Sequence, residues 1–350
     1  MFHRLYKNIR GFGWDKHLNI AIKNRLKGRR LSVYYIPIYF EFEELKKEIT
    51  PDVVREVKNQ RAIFLFDYTG EGCDGAIWTI GLLHQLYELG LEEKDLKKST
   101  LLTSNMGDEI FWDLDCSVFS KFWPGRHIGI DIYMWGKGWR SGHYSAFSSH
   151  KPYKFICLNN SDKKHKNIVI DHLDKNGYSE RGIVTYLSKG RTSFVDDGNL
   201  EDMDKFQSKF YEQAAFSIRN TALFYEQDSI FFCEKLLQDI NGRVPFIAIS
   251  TPYTLEYLRQ KGYKTFPELF DESYDVILNH TDRMNFILKE IDKVMNMSED
   301  ELYTKIYNMR YKLEYNYERL QSYIEYMNRD ENHNRKVQGI VDKVIQNAYT

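Results

Sequence analysis

Short apolar runs alternate with amphipathic stretches along this chain, and that alternation limits the folds open to it. Leu31 to Tyr39, Ala62 to Phe66, Ser99 to Thr103, Tyr153 to Asn159, Gly182 to Leu187 and Pro245 to Ile249 are each too short for a buried helix and rich in β-branched or aromatic residues. Between them stand helical patterns. Thr50-Pro51 is a capped start for a helix ending near Asn59. Ile77, Ile80, Leu83, Leu86 and Leu89 form one stripe, closed by Gly90. Ile168, Val169, His172 and Leu173 form another, closed by Gly177. Strand, helix and strand in succession predict an α/β protein with parallel sheets and helices on their faces. In such sheets ligands bind beyond the carboxyl ends of the strands.

The 350 residues suit two ordinary domains or one large one. We expect an N-terminal Rossmann-like domain over 1–150, a second over 151–297, and C-terminal helices over 298–350 that pack back on the domains. Ser298 and Glu301 form a capping box for a long last helix, striped by Leu302, Ile306, Met309, Leu313, Tyr317, Leu320, Ile324 and Met327. A polar tail with a short helix near Val337 to Val344 follows. A coiled-coil dimer is the competing account of that stripe.

At 42% hydrophobic and 15% aromatic residues, the chain has ample material for two cores. A formal charge of −1 gives no whole-chain argument for nucleic-acid binding. Cys73, Cys116, Cys157 and Cys233 lie far apart and form no metal or redox pair. The first ten residues are polar and basic with no apolar core behind them, and no window reaches the roughly 18 apolar residues of a membrane span. These features predict a soluble, reduced, cytoplasmic protein.

Gly70, Gly72 and Gly75 match the spacing of a dinucleotide fingerprint, but Glu71 and Asp74 inside the turn would repel a pyrophosphate. An acidic loop suits proton abstraction instead, with Asp67 or Glu71 as a general base toward an acceptor hydroxyl. The plainer reading has Asp67 capping the next turn and Glu71 in water. Asn105 to His150 carries Trp112, Trp123, Trp135 and Trp139 among glycines: either a stacking surface for sugars or bases, or a packed irregular segment. Asp113 and Asp115 form an Asp-x-Asp pair that would hold a divalent cation.

In the second half, Lys163, Lys164, His165 and Lys166 crowd the start of a helix, where positive charge opposes the helix dipole unless an anion sits there. Arg219 falls near a strand end, either to grip a phosphate bidentately or to pair with Glu226 or Glu234. Ser250 and Thr251 end the Pro245 to Ile249 run.

Phe224, Glu226, Ser229, Glu234, Lys235, Leu236 and Val244-Pro245 occupy places comparable to a motif of the fucosyltransferases, although the Asn of that motif is missing and Cys233 replaces a Thr. The stretch resembles the donor-binding half of two-domain, GT-B-type glycosyltransferases. It also resembles glycosyltransferase-like proteins of phages and giant viruses. They share a Leu-Asn strand end (Asn159) followed by basic residues, a Glu-Lys helix, a Pro-Phe-Ile strand, Gly262-Tyr263-Lys264-Thr265-Phe266 and Asp271 to Asp275.

The likeness runs from about Tyr153 to Arg283. It implies a UDP- or GDP-sugar donor, with Lys164, His165, Arg219 and Lys235 neutralising the diphosphate and Glu226 or Glu234 binding sugar hydroxyls. It implies no required metal or cofactor, and an acceptor hydroxyl on a glycan or a hydroxymethylated DNA base, bound by the 1–150 domain. For a viral protein the compartment would be the host-cell cytoplasm. The alternatives are a metal-dependent transferase using Asp113 and Asp115, a non-catalytic carbohydrate- or partner-binding protein, and a nicotinamide oxidoreductase built on the Gly70 loop.

Overall fold

The computed structural model describes residues 2–4, 15–37, 42–68, 75–103, 105–106, 123–129, 151–191, 208–226, 230–231 and 234–349. The chain divides into two compact units. Met1–Gly138, Asp228–Phe232 and Tyr326–Thr350 make the first; Trp139–Gln227 and Cys233–Glu325 make the second.

In the first unit, β1 (Phe2–Arg4), β2 (Ser32–Pro37), β3 (Ala62–Tyr68), β4 (Thr100–Thr103) and β6 (Arg126–Gly129) form a parallel sheet in that order. Between them run α1 (Asp15–Arg25), α2 (Phe42–Glu48), α3 (Pro51–Lys58), α4 (Gly75–Glu88) and α5 (Glu93–Leu96). Thr50 caps α3 through its side chain onto the Val53 N–H, as its position before proline predicts. Tyr34, Ile36, Phe64, Phe66 and Leu101 share one sheet face. They pack with Val53 and Val57 of α3, Leu82 and Leu86 of α4, and Trp123. A two-residue strand β5 (Asn105–Met106) pairs antiparallel with β10 (Ile230–Phe231).

The second unit is built on β7 (Tyr153–Asn159), β8 (Gly182–Tyr186), β9 (Ala214–Asn220) and β11 (Phe246–Ile249), parallel in the order β11-β9-β7-β8. From β7 the chain crosses to β8 on one side, then returns past β7 to lay down β9 on the other. That reversal makes the carboxyl ends of β7 and β9 the topological switch point of the sheet. The helices are α6 (Lys164–Lys175), α7 (Ser208–Gln213), α8 (Glu234–Asn241), α9 (Thr254–Gln260), α10 (His280–Asn296) and α11 (Glu299–Asn308), followed by α12 (Arg310–Asn328). Tyr274 protects the sheet edge, its hydroxyl accepting the Ala248 N–H of β11.

Residues 261–271 after α9 are turns and loop, leading into a 3-10 helix over Glu272–Val276. Two expectations about the C-terminal part are corrected here. The apolar stripe after Ser298 is not one helix. Ser298 caps α11 through the Glu301 N–H, but α11 stops at Asn308. There the Met309 N–H reaches back to the carbonyls of both Lys305 and Ile306, a tightened last turn. The tail is not a short helix either, since α13 spans Asp330–Tyr349. It packs on α1 in the first unit, with Val337, Val341, Val344, Ile345 and Ala348 buried.

Candidate functional site

The register between β7 and β9 runs through Phe155↔Phe216 and ends at Ile156↔Ser217, three residues short of both strand ends. At those ends stand Asn159 and Asn220, each 1% exposed. Both side-chain amides donate toward the Cys157 sulfur, at 3.3 Å from Asn159 and 3.6 Å from Asn220. Burial pushes that thiol up to about 11, so it stays protonated. The two amide oxygens have no hydrogen-bond partner among the described residues. A buried carbonyl oxygen left without a donor costs about 1–3 kcal/mol. Two of them at the switch point mark a place where donors from a ligand would be stabilising.

Beside them α6 begins. Lys163 takes the cap position in an extended conformation, and its side chain makes no capping hydrogen bond. The first N–H groups of α6 carry the partial positive charge of a helix start. Lys164 is exposed at the first helical position. Its neighbours face inward. The Lys163 ammonium donates to the Ala222 carbonyl at 2.8 Å, and the buried Lys166 donates to the Ser161 hydroxyl at 2.9 Å. His165 Nε2 lies 3.1 Å from the Thr221 carbonyl, which only accepts, so that nitrogen carries the proton. Thr221 and Ala222 follow β9, and α6 thereby fixes the loop that leaves that strand.

The expectation that His165 neutralises a phosphate is corrected by its surroundings. Its ring stacks on Phe224 at 5.5 Å and meets Tyr225 edge-on at 5.9 Å. Burial, reinforced by Lys166 and Lys163, pulls its pKa down to about 4. The imidazole is neutral near pH 7 and positions rather than neutralises.

Arg219 is corrected as well. It is 1% exposed and forms a fork with Asp239 of α8, with Nε to Oδ2 at 2.7 Å and a second, shorter bond to Oδ1. The Tyr211 hydroxyl takes a third donor at 2.9 Å. The guanidinium is committed to the interior of the unit, with Asp239 as its bidentate carboxylate partner. Sequence gave no cue to Asp239, an acid on a helix with a strongly apolar face.

Ser250 and Thr251 lie at the carboxyl end of β11, both buried. The Thr221 and Thr254 hydroxyls lie 3.0 and 3.1 Å from the Ser250 hydroxyl, and Thr254 donates its one proton to the Thr251 carbonyl at 2.7 Å. This hydroxyl chain ties β9 to β11. The start of α9 beyond it is already filled: Asp275 accepts the Leu255 and Glu256 N–H groups, both at 2.9 Å. The motif residue Asp275 thus occupies the place an anion would take on this helix. Burial raises its pKa to about 6.

Arg283 of α10, equally unforeseen, donates to the carbonyls of Ile277, Leu278 and Phe224 and lies over the Phe224 ring at 4.5 Å. Glu226 follows in the same loop, half-buried, and lies within electrostatic reach of Arg283. Lys235 is half-buried in the first turn of α8. Glu234 opens that helix, and its side chain lies outside the described residues.

In the first unit, Asp67 sits one residue before the carboxyl end of β3, 2% exposed, with the Tyr35 hydroxyl donating to Oδ2 at 2.5 Å. It does not face water. Glu71, the Gly70 loop, Asp113, Asp115, Trp112, Trp135 and Trp139 lie outside the described residues. Trp123 is a core residue, edge-on to Phe66 at 5.4 Å. Among the described residues no group of three or more His, Cys, Asp or Glu is placed to hold a metal ion, and no helix is long and apolar enough to cross a membrane.

No protein-family model matches the sequence, and a search of curated proteins finds no match. Among solved structures, TarM is similar over 95% of this chain at 10% identity, with a TM-score of 0.40; the chain spans 58% of TarM. T4 phage BGT, solved with UDP and Mn2+, is similar over 98% of both chains at 8% identity, with a TM-score of 0.37. Likeness at this level leaves the function to be argued from the chain's own site.

Proposed function

We propose that the chain is a glycosyltransferase of GT-B type that binds a UDP- or GDP-sugar where β7 and β9 end. The carrying observation is the pair of buried, unsatisfied amide oxygens of Asn159 and Asn220 beside the start of α6. Hydroxyl or N–H donors of the nucleoside or sugar suit the two oxygens. The diphosphate suits the α6 N–H groups, with Lys164 at their edge.

In the net reaction an acceptor hydroxyl loses its proton, its oxygen bonds the anomeric carbon, and the bond from that carbon to the diphosphate breaks. Negative charge grows on the leaving diphosphate, and Lys164 and the helix start offset it. The proton passes to a carboxylate base, Asp67 or Glu71. Lys235 and Glu226 complete the donor side. The acceptor is a glycan or a hydroxymethylated base, and no metal is needed.

Thermal-shift titration with UDP-, GDP- and CMP-sugars tests the donor site, because a ligand that binds only the folded form stabilises it by mass action. One of the first two is expected to raise Tm, with Lys164→Ala raising the Kd read from the titration by about tenfold. If no nucleotide sugar shifts Tm, the donor reading fails. Transfer is expected to survive EDTA. Its loss on chelation would replace the metal-free scheme with one built on Asp113 and Asp115.

A further inference from the structure

A second surface in the same unit carries features that the donor site does not use. Tyr307, Tyr311 and Tyr315 recur every four residues through the end of α11 and into α12, and they are 52%, 58% and 40% exposed. Single exposed tyrosines are ordinary, whereas a run of them on one stretch marks a contact surface. Cations are interleaved with the rings. The Lys264 ammonium lies 4.9 Å from the Tyr315 ring centre and 6.0 Å from that of Tyr311, which places the two rings side by side around one charge. Arg310 covers the Tyr307 ring at 3.9 Å.

The platform is held from behind. Asn316, 2% exposed, accepts the Lys264 N–H and donates to the Lys264 carbonyl, both at 2.8 Å. Lys312 on the same helix binds the Thr265 carbonyl at 3.0 Å and the Glu268 carboxylate. The inner face of α12 thus clamps the backbone of Lys264 while its outer face presents the rings.

We infer that Tyr307, Tyr311 and Tyr315, with Lys264 and Arg310 between them, form a binding platform for the sugar rings of a neutral glycan chain. Flat rings in water offer stacking area at little entropic cost. Sign of charge selects the ligand. Glu318 is exposed and follows Tyr311 and Tyr315 by seven and three residues on the same helix face, while Glu314 beside it is offset by Arg243 at 2.9 Å. A polyanion such as single-stranded nucleic acid would meet the Glu318 carboxylate. A neutral polyhydroxyl chain can donate to it and accept from Lys264 and Arg310.

The test is isothermal titration of the full chain with cellohexaose, chitohexaose and maltohexaose, and with a short oligothymidylate as the contrasting ligand. At least one hexasaccharide is expected to bind. Tyr311→Ala/Tyr315→Ala is expected to weaken it by about tenfold or more, while Tyr311→Phe/Tyr315→Phe retains it, because stacking needs the ring and not the hydroxyl. Both doublets should leave the nucleotide-sugar Tm shift unchanged, which separates this surface from the donor site. The inference is overturned if no hexasaccharide binds, if the alanine doublet binds as well as the parent, or if oligothymidylate binds in their place with steep salt dependence.

Discussion

Arg219 and His165 both carry positive charge in a sequence reading and both do something else in the fold. For Arg219 the deciding fact is burial: its guanidinium and the Asp239 carboxylate are each within 1% of full enclosure. Removing one partner leaves the other as a bare buried charge, which costs about 3–5 kcal/mol. Arg219→Met should therefore lower the urea midpoint sharply, and Arg219→Met/Asp239→Leu should recover much of the loss. A single variant as stable as the parent would show that the pair is not what holds α8 to the sheet.

His165 makes a pH prediction with a definite sign. The unfolded imidazole takes up a proton near pH 6.5 and the folded one only near 4. Its contribution is present in full above about pH 6.5 and is lost as pH falls toward 4, amounting to about 3 kcal/mol across that window. Asp275 runs the opposite way: its folded pKa is raised to about 6, so its contribution diminishes as pH rises from about 4 to 6. Comparing the parent with His165→Gln isolates the first effect. The stability difference between the two should change between pH 6.5 and 4.5, and a constant difference would remove His165 from the acid response.

At the scale of elements, α9 shows how a helix start can be closed to ligands. Asp275 satisfies two of its N–H groups from a 3-10 turn some twenty residues away. Asp275→Ala should cost about 2 kcal/mol of stability. Nucleotide-sugar affinity, measured well below the new Tm, should be unchanged, because the proposed diphosphate site is on α6. A large loss of affinity would place α9 in the site as well.

Elements defined by composition over a few residues were legible in the sequence. β7 spans Tyr153–Asn159 as its apolar run predicts, and α3 starts where Thr50-Pro51 says it should. The break between α11 and α12 was not, because spacings of three and four continue across Met309 whether or not the backbone does. The site was half legible. Asn159 announces itself by ending an apolar run, whereas Asn220 does not, because apolar residues resume at Ala222 to Phe224 just beyond it. Their convergence depends on the strand order β9-β7-β8, which a single sequence does not reveal. Partners distant in the chain, such as Arg219 with Asp239 and Lys163 with Ala222, were beyond any local pattern.

At the scale of the whole molecule, the chain ends in the unit where it began. Residues 326–350 belong to the first unit, and α13 is bound there by apolar packing and polar contacts. Leu18 and Ile22 of α1 are fully buried, as is Val341 of α13. Arg25 pairs with Asp342 at 3.0 Å, and Arg29 covers the Tyr349 ring at 4.9 Å. The exposed ion pair adds little, so the buried side chains carry the attachment. Ile345 is 4% exposed, and Ile345→Ala should cost about 2–5 kcal/mol through lost burial and the cavity left behind. The two units have separate cores, one around Phe64 and Phe66, the other around Ile156 and Ile183. Hydrogen exchange should therefore accelerate in Ala62–Tyr68 of the variant and stay near the parent rate in Tyr153–Asn159. A nucleotide sugar should do the reverse, protecting Tyr153–Asn159 and leaving Ala62–Tyr68 as it was. Equal acceleration of both strands by Ile345→Ala would mean that the units unfold as one, and that the last helix stabilises the donor site as much as the sheet it covers.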